Sequence, residues 1–204
     1  MKQKINCNWH RYVDLGLPSG LLWATCNVGA KEPWENGLYF SWGNVDGHAY
    51  GSEYDFSETK YASTPGASLN GNIPVNAEYD AARANLGGSW RMPTGDEFQE
   101  LYDICTSVWT TKNGVYGRLF TSMINGNSVF FPAAGLYYCT SPNFNGSYGY
   151  YWSSSLYLQC NAYDLSFGNY DVGPKSFNGS FFGFSVRAVL DHPKDSLLIK
   201  TIKR

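Results

Sequence analysis

The chain has 204 residues with 15 Lys and Arg against 17 Asp and Glu, a formal net charge of −2, which is one domain by length and offers no basic face to nucleic acid. With 43% hydrophobic and only 16% charged residues, it has the apolar content to bury a core and does not read as disordered. No apolar run reaches the ~18 residues of a membrane span and Met1 to Asn8 is too polar for the apolar segment of a secretory leader, so a soluble domain without membrane insertion is expected.

In chain order, Tyr12 to Val28 reads as two short strands about a turn at Leu17-Pro18-Ser19-Gly20. From Lys31 to Pro74 the text loosens into a long surface excursion, packed by its own Trp34, Tyr39, Phe40, Trp42 and Tyr54. Asn76 to Leu86 is Ala-rich, has Asn76 in N-cap position and is stopped by Gly87-Gly88, which predicts a helix. Thr94-Gly-Asp-Glu97 is a capping box that leads into Phe98, Leu101, Tyr102 and Cys105, predicting a second amphipathic helix over 95–106. Strands are predicted at 129–135, 148–154, 162–167 and 182–189. Strands, two helices and then more strands make an α+β fold, with one domain over 1–190 and a polar, solvated tail over 191–204. There is no internal repeat.

Catalytic and metal chemistry finds little support. The five cysteines, at 7, 26, 105, 139 and 160, are odd in number and contain no Cys-x-x-Cys pair; a Cys139–Cys160 bridge would need an oxidising compartment, and free thiols are the default. His10, His48 and His192 fall in terminal or loop segments outside any metal-ligand spacing. Asp14, Asp80, Asp96, Glu97 and Glu100 are explained by turns and by helix first turns, where carboxylates meet the positive end of the helix dipole. Phosphate-cradling glycine motifs are absent. Calcium needs no motif when loop carbonyls and scattered Asp and Asn supply the ligands, but no Asp-x-Asp-x-Asp-Gly loop is present. The expectation is a non-enzyme with no cofactor and no metal. Asn145-Gly-Ser147 and Asn178-Gly-Ser180 match a glycosylation acceptor, yet Asn-Gly is also turn chemistry, and turns are expected at both.

The 35 residues from Tyr148 to Phe182 hold eleven aromatics, thirteen Ser, Gly or Asn and only three charges, Asp164, Asp171 and Lys175. That mixture is paratope-like: aromatic rings give contact area with few torsions to freeze, and Ser, Gly and Asn give adaptable hydrogen bonds. An ordinary aromatic core with Gly and Asn turns is the competing explanation. Parity weighs against it. Tyr163, Leu165 and Phe167 share one strand face and leave Asp164 and Ser166 on the other, and Phe184 and Val186 alternate with Ser185 and Arg187. If one face satisfies the core, Tyr157, Tyr170, Phe177 and Phe181, in loop-like text, are surplus and point to a binding surface. Tyr148, Tyr150 and Tyr151 divide evenly between the two readings.

Four blocks, Tyr12-Val-Asp-Leu-Gly-Leu-Pro-Ser-Gly-Leu-Leu-Trp-Ala-Thr-Cys-Asn-Val-Gly29, Gly88-Ser-Trp-Arg-Met-Pro-Thr94, Tyr151-Trp-Ser-Ser154 and Gly183-Phe-Ser-Val-Arg187, resemble a bacterial family with the C-type lectin-like fold. The chain is similar to its formylglycine-generating-enzyme subtype and to the Fibrobacter succinogenes major paralogous domains of gut Bacteroidetes. The resemblance spans residues 12 to 189 and implies two helices packed on short antiparallel sheets with extensive irregular loops. The group includes the variable proteins of diversity-generating retroelements, whose mutated segment lies between blocks like the last two, here residues 155 to 182. Mutated Asn codons would yield the Tyr, Ser, Asp, Gly, Phe, Leu, Cys and Asn that dominate this window; Gln159 and Lys175 do not fit.

Carried over, the resemblance implies ligand contact at Leu156, Tyr157, Cys160, Asn161, Asp164, Ser166, Asn169, Tyr170, Asp171, Ser176, Phe177, Asn178, Ser180, Phe181 and Phe182, with Tyr151, Trp152, Phe184, Val186 and Arg187 as scaffold. The cysteine pair of the formylglycine-generating enzymes is missing from Phe182 to Val189, so that activity is not expected. The Glu-Pro-Asn and Gln-Pro-Asp motifs of calcium-dependent lectins are missing too. The implied partner is a protein or glycan on a cell surface, met by a phage tail adhesin or a bacterial surface protein. An enzyme using other groups and a structural module of a larger assembly are the alternatives.

Overall fold

The computed structural model describes residues 11–191; Cys7, His10, His192 and the tail from 192 onward lie outside the described residues. The protein is α+β, with few helices and mostly small antiparallel sheets. Strands β1 (Tyr12–Asp14) and β2 (Leu22–Ala24) form the predicted hairpin. Its turn closes through Gly20 N–H to the Leu17 carbonyl at 2.8 Å, with Gly20 at φ +72°. The Glu100 carboxylate accepts the Ser19 N–H at 2.8 Å and clamps this hairpin turn, one of the turn roles expected of the acidic residues.

The 31–74 excursion is largely irregular, as expected, with β3 (Tyr39–Phe40), one helical turn α1 (Glu58–Tyr61) and a 3-10 turn at Pro65–Ser68. Tyr39, Phe40 and Trp42 are buried, whereas Trp34 and Tyr54 are only half-buried. The Trp42 indole N–H donates to the Ser153 carbonyl at 2.8 Å and the Tyr61 hydroxyl donates to the Trp42 carbonyl at 3.0 Å, so the excursion is stitched onto the main sheet.

Helix α2 (Ala81–Leu86) starts five residues later than predicted. Asn76 instead makes a turn, its Oδ1 accepting from the N–H groups of Glu78 and Tyr79. Asp80 is the true N-cap, because its buried carboxylate takes the Arg83 N–H at 2.9 Å and also the Met92 N–H at 3.0 Å, joining the helix to β4 (Trp90–Arg91). Helix α3 (Gly95–Ile104) carries both halves of the Thr94/Glu97 capping box. It stops two residues early, since Cys105 is already extended, and Tyr102, placed on the apolar face by spacing, is exposed.

Cys105 opens a hairpin the apolar pattern does not reveal, β5 (Cys105–Lys112) with β6 (Val115–Ser122), joined by Asn113-Gly114 at φ +50° and +79°. Then follow β7 (Ser128–Pro132), β8 (Leu136–Tyr138), β9 (Ser141–Asn143), β10 (Gly149–Leu158), β11 (Asn161–Phe167), β12 (Val172–Gly179), β13 (Phe184–Ser185) and β14 (Val189–Leu190). The single strand predicted over 182–189 is two, in different sheets. The sheets run β1-β2-β14-β4, β12-β11-β10-β13-β3, β5-β6-β7 and β8-β9, with β10 and β13 parallel. Among the described residues, no helix is long and apolar enough to cross a membrane.

The main sheet is covered on both sides. Neighbouring Tyr151 and Trp152 point to opposite faces of β10 and both are fully buried, one against Trp23, Phe98, Phe131 and Leu165, the other against Trp42, Ala162, Phe184 and Val186. Burying each such ring contributes about 2 kcal/mol. The expectation that one strand face satisfies the core is therefore wrong: Asp164, Ser185 and Arg187, placed on the open face by parity, are all buried. Arg187 is accommodated because its guanidinium donates to Asn27 Oδ1 and to the carbonyls of Ala24, Thr25 and Phe130, and lies over the Phe131 ring.

Candidate functional site

The fifteen candidate positions divide according to strand register. Residues opposed across strands share a face, so Trp152, Asp164 and Ser176 form one row, Tyr150 and Ser166 the next, and Ala162 and Asn178 another. This first face joins half-buried Ser166, Ser176 and Asn178 to half-buried Phe181 and Phe182. Ser166 and Ser176 hydroxyls touch at 2.7 Å. Beside them runs a chain of rings: Phe144 to Tyr148 at 5.7 Å, Tyr148 to Tyr150 at 6.2 Å, Tyr150 to Phe184 at 5.1 Å, Phe184 to Phe182 at 5.9 Å, Phe182 to Phe181 at 4.4 Å and Phe181 to Tyr138 at 6.0 Å. Tyr138 and Phe144 are about half exposed and neither is picked out by the sequence reading, because both lie before the compositionally biased stretch.

The second face carries Tyr157, Tyr163 and Phe177. Tyr157 and Phe177 stack at 4.1 Å and 18°, and Tyr163 meets Tyr157 edge-on. Tyr157 and Phe177 are thus strand residues, on β10 and β12, rather than loop aromatics. The two positions outside the Asn-codon set have structural roles here: Lys175 reaches Asp96 of α3 at 2.8 Å and lies over the Tyr163 ring, and Gln159 takes the left-handed φ of +31° in the β10–β11 turn.

Two candidates are corrected. Ser180 is buried beneath the 31–74 excursion, its N–H donating to the Cys160 carbonyl and its own carbonyl accepting from Trp42. Asp164 is fully buried. Asn178 Nδ2 donates to its Oδ2 at 2.9 Å, while its Oδ1 is unpartnered. Burial pushes this carboxyl up to about 7, against a smaller opposite pull from the Asn178 amide. Neither residue contacts a ligand without rearrangement of its cover.

Of the rest, Leu156 is half-buried, its N–H donating to Asn72 Oδ1, and Asn161 begins β11 opposite Gly179. Cys160, Asn169 and Asp171 are exposed and Tyr170, at the β11–β12 turn, is 96% exposed. Cys26, Cys105, Cys139 and Cys160 are free thiols. Asn145-Gly146 forms the expected turn, but Asn178-Gly179 closes strand β12 instead. His48 stacks on Tyr54 at 3.7 Å, and burial lowers its pKa. Among the described residues, no three His, Cys, Asp or Glu side chains gather into a metal-binding group.

Comparison of the chain with protein-family models, with curated proteins and with solved structures gives no match.

Proposed function

We propose that this protein is a non-catalytic binding module of C-type lectin-like fold that presents the uncovered part of the first face of β10–β11–β12, around Ser166, Ser176 and Asn178, together with Tyr138, Phe181 and Phe182, to a protein or glycan on a cell surface, with exposed positions of residues 155–182 diversified by a retroelement. The observation that carries the reading is a pair of partly exposed ring groups, Phe144–Tyr148–Tyr150 and Phe182–Phe181–Tyr138, joined through the buried Phe184, with Ser166, Ser176 and Asn178 on the neighbouring strands: partly exposed aromatics flanked by small adaptable polar groups are the make-up of a recognition surface. Both termini of the window are anchored in buried scaffold, Tyr151 and Trp152 before it and Phe184 to Arg187 after it, and within it Ala162, Leu165 and Phe167 belong to the core, so the exposed side chains among them change without unseating it.

Among the described residues, burial raises the pKa of two carboxyls, Asp80, which caps α2, and Asp164, the one an enzyme reading invites. Its hydrogen-bond partner is the Asn178 amide rather than a histidine or a nucleophile, and it is closed to solvent, which favours binding over catalysis.

The test is binding of the labelled protein to a panel of bacterial and host cells by flow cytometry. Joint replacement of Tyr138, Phe181 and Phe182 by serine is expected to weaken cell binding at least about tenfold, as loss of clustered aromatic anchors does. Replacement of Tyr157 and Phe177 is expected to leave it within about twofold. Loss confined to the second variant would assign recognition to the other face, and undiminished binding by the first would remove the proposed surface.

A further inference from the structure

We propose that the cleft between the β5–β6 hairpin and the β11–β12 turn holds an uncharged sugar ring. The inference rests on reading the chain as a binding module, but not on which residues are diversified. The cleft is a shallow, solvent-open one of about 380 Å³, which suits a small ligand bound at the surface. Trp109 and Tyr116 form one wall, with planes within 11° and centroids 5.9 Å apart. Tyr148 and Tyr170 stand on other sides, and Ser147 and Asn169 complete the lining.

The backbone of the hairpin and of the opposite turn is fixed before any ligand arrives, while the Tyr170 ring, 96% exposed, is free to turn onto it. Arg118, on β6, is buried, and its guanidinium donates to the carbonyls of Gly168 and Asn169 at 2.9 Å and 3.1 Å and to Ser107 Oγ at 2.9 Å. This ties the hairpin to the opposite turn. A Cβ on Gly168 would lie 2.7 Å from the Tyr148 ring and 2.9 Å from Asp171 Oδ1, so a larger residue there would displace those side chains. On the remaining side, Gly146 N–H donates to the Ala133 carbonyl at 2.8 Å.

The chemistry selects the ligand class. No charged residue lines the cleft, and Arg118, which ties its sides together, has its donors engaged within the protein. An anionic group entering here would lose water without gaining a counter-ion. The lining instead offers aromatic faces, which suit the C–H face of a pyranose, and a rim of phenol, hydroxyl and amide groups, which exchange hydrogen bonds with sugar hydroxyls. Trp109, Tyr116 and Tyr148 lie outside residues 155–182, whereas Asn169 and Tyr170 lie inside.

The experiment uses protein labelled with fluorotryptophan, the Trp109 fluorine signal assigned from Trp109→Phe. It is titrated with methyl β-glucopyranoside, methyl β-galactopyranoside, methyl α-mannopyranoside and N-acetylglucosamine, with glucuronate as the charged control. At least one neutral sugar is expected to move the Trp109 signal, with affinity about tenfold weaker in Tyr116→Ala and in Tyr170→Ala, both exposed positions. Added salt and a chelator are expected to change nothing. No response to any neutral sugar, response to glucuronate alone, loss on chelation, or unchanged affinity in both variants would each overturn the proposal. The Tyr138, Phe181 and Phe182 variant is expected to bind sugar normally, so this site and the β10–β11–β12 face fail separately.

Discussion

Replacing Arg187 with lysine is expected to destabilise the protein by at least about 3 kcal/mol. The guanidinium is fully buried and donates through Nε and Nη2 to Asn27 Oδ1, through Nη1 to the carbonyls of Ala24 and Thr25, and through Nη2 to that of Phe130. These acceptors lie on or just beyond β2 and on β7, while Arg187 sits where the chain crosses from β13 to β14. One planar fork therefore joins three parts of the molecule. A lysine has three donors on a single atom and cannot span them, and each abandoned carbonyl then carries its own desolvation cost. Burial lowers the Arg187 pKa to about 10, with no carboxylate alongside; the Tyr151 phenol and the Cys26 thiol pull slightly the other way. Urea unfolding checks the prediction. The midpoint should fall with an unchanged slope, and a change below about 0.5 kcal/mol, the range of ordinary surface substitutions, would mean the network does not hold the fold.

Asp164→Asn is expected to make the protein more stable above pH 7 and to flatten its pH dependence. The folded pKa, pushed up to about 7 by burial, exceeds the unfolded value near 3.8. Between those values the folded state holds a proton that the unfolded state has released, so stability falls as pH rises through the window and is level above it. The shift corresponds to about 4 kcal/mol at most. Asparagine keeps an acceptor for Asn178 Nδ2 without the buried charge. Unfolding free energies at pH 5 and pH 8 should differ by less in the variant than in the wild type, and equal differences would show that Asp164 does not titrate as its burial implies.

Features carried by local chemistry are legible in the sequence. The Thr94/Glu97 capping box and the Leu17–Gly20 turn need only neighbouring residues, and both are found where predicted. Asn76 and Asp80 are both good caps, and the choice between them is made by Met92, twelve residues further on, whose N–H only Asp80 receives. Strand β12 is hidden because Val-Gly-Pro-Lys-Ser-Phe-Asn-Gly has no apolar alternation; as an edge strand it tolerates Pro174 and draws its stability from pairing with β11. The β5–β6 hairpin was signalled by Asn113-Gly114 rather than by its apolar content.

The candidate site is legible in part. Composition points to the segment, but not to which side chains emerge together. The register shift between Asp164 and Ser166 on β11 is not visible in the pattern. Nor does parity anticipate a second core: Ala162 and Asp164 are covered from the side that alternation leaves open. Tyr138 and Phe144 join the surface through β8 and the turn after β9, from outside the biased stretch.

The central claim is that a buried frame carries an exchangeable surface, and sequencing the 3′ end of this gene from many independent isolates tests it most directly. Substitutions in adenine-bearing codons are expected to be concentrated at Leu156, Ser166, Asn169, Tyr170, Ser176, Asn178, Phe181 and Phe182, over unchanged Tyr151 to Ser154, Leu165, Phe167 and Gly183 to Arg187. A segment as uniform among isolates as the rest of the gene, or substitutions spread evenly along the chain, would contradict that claim.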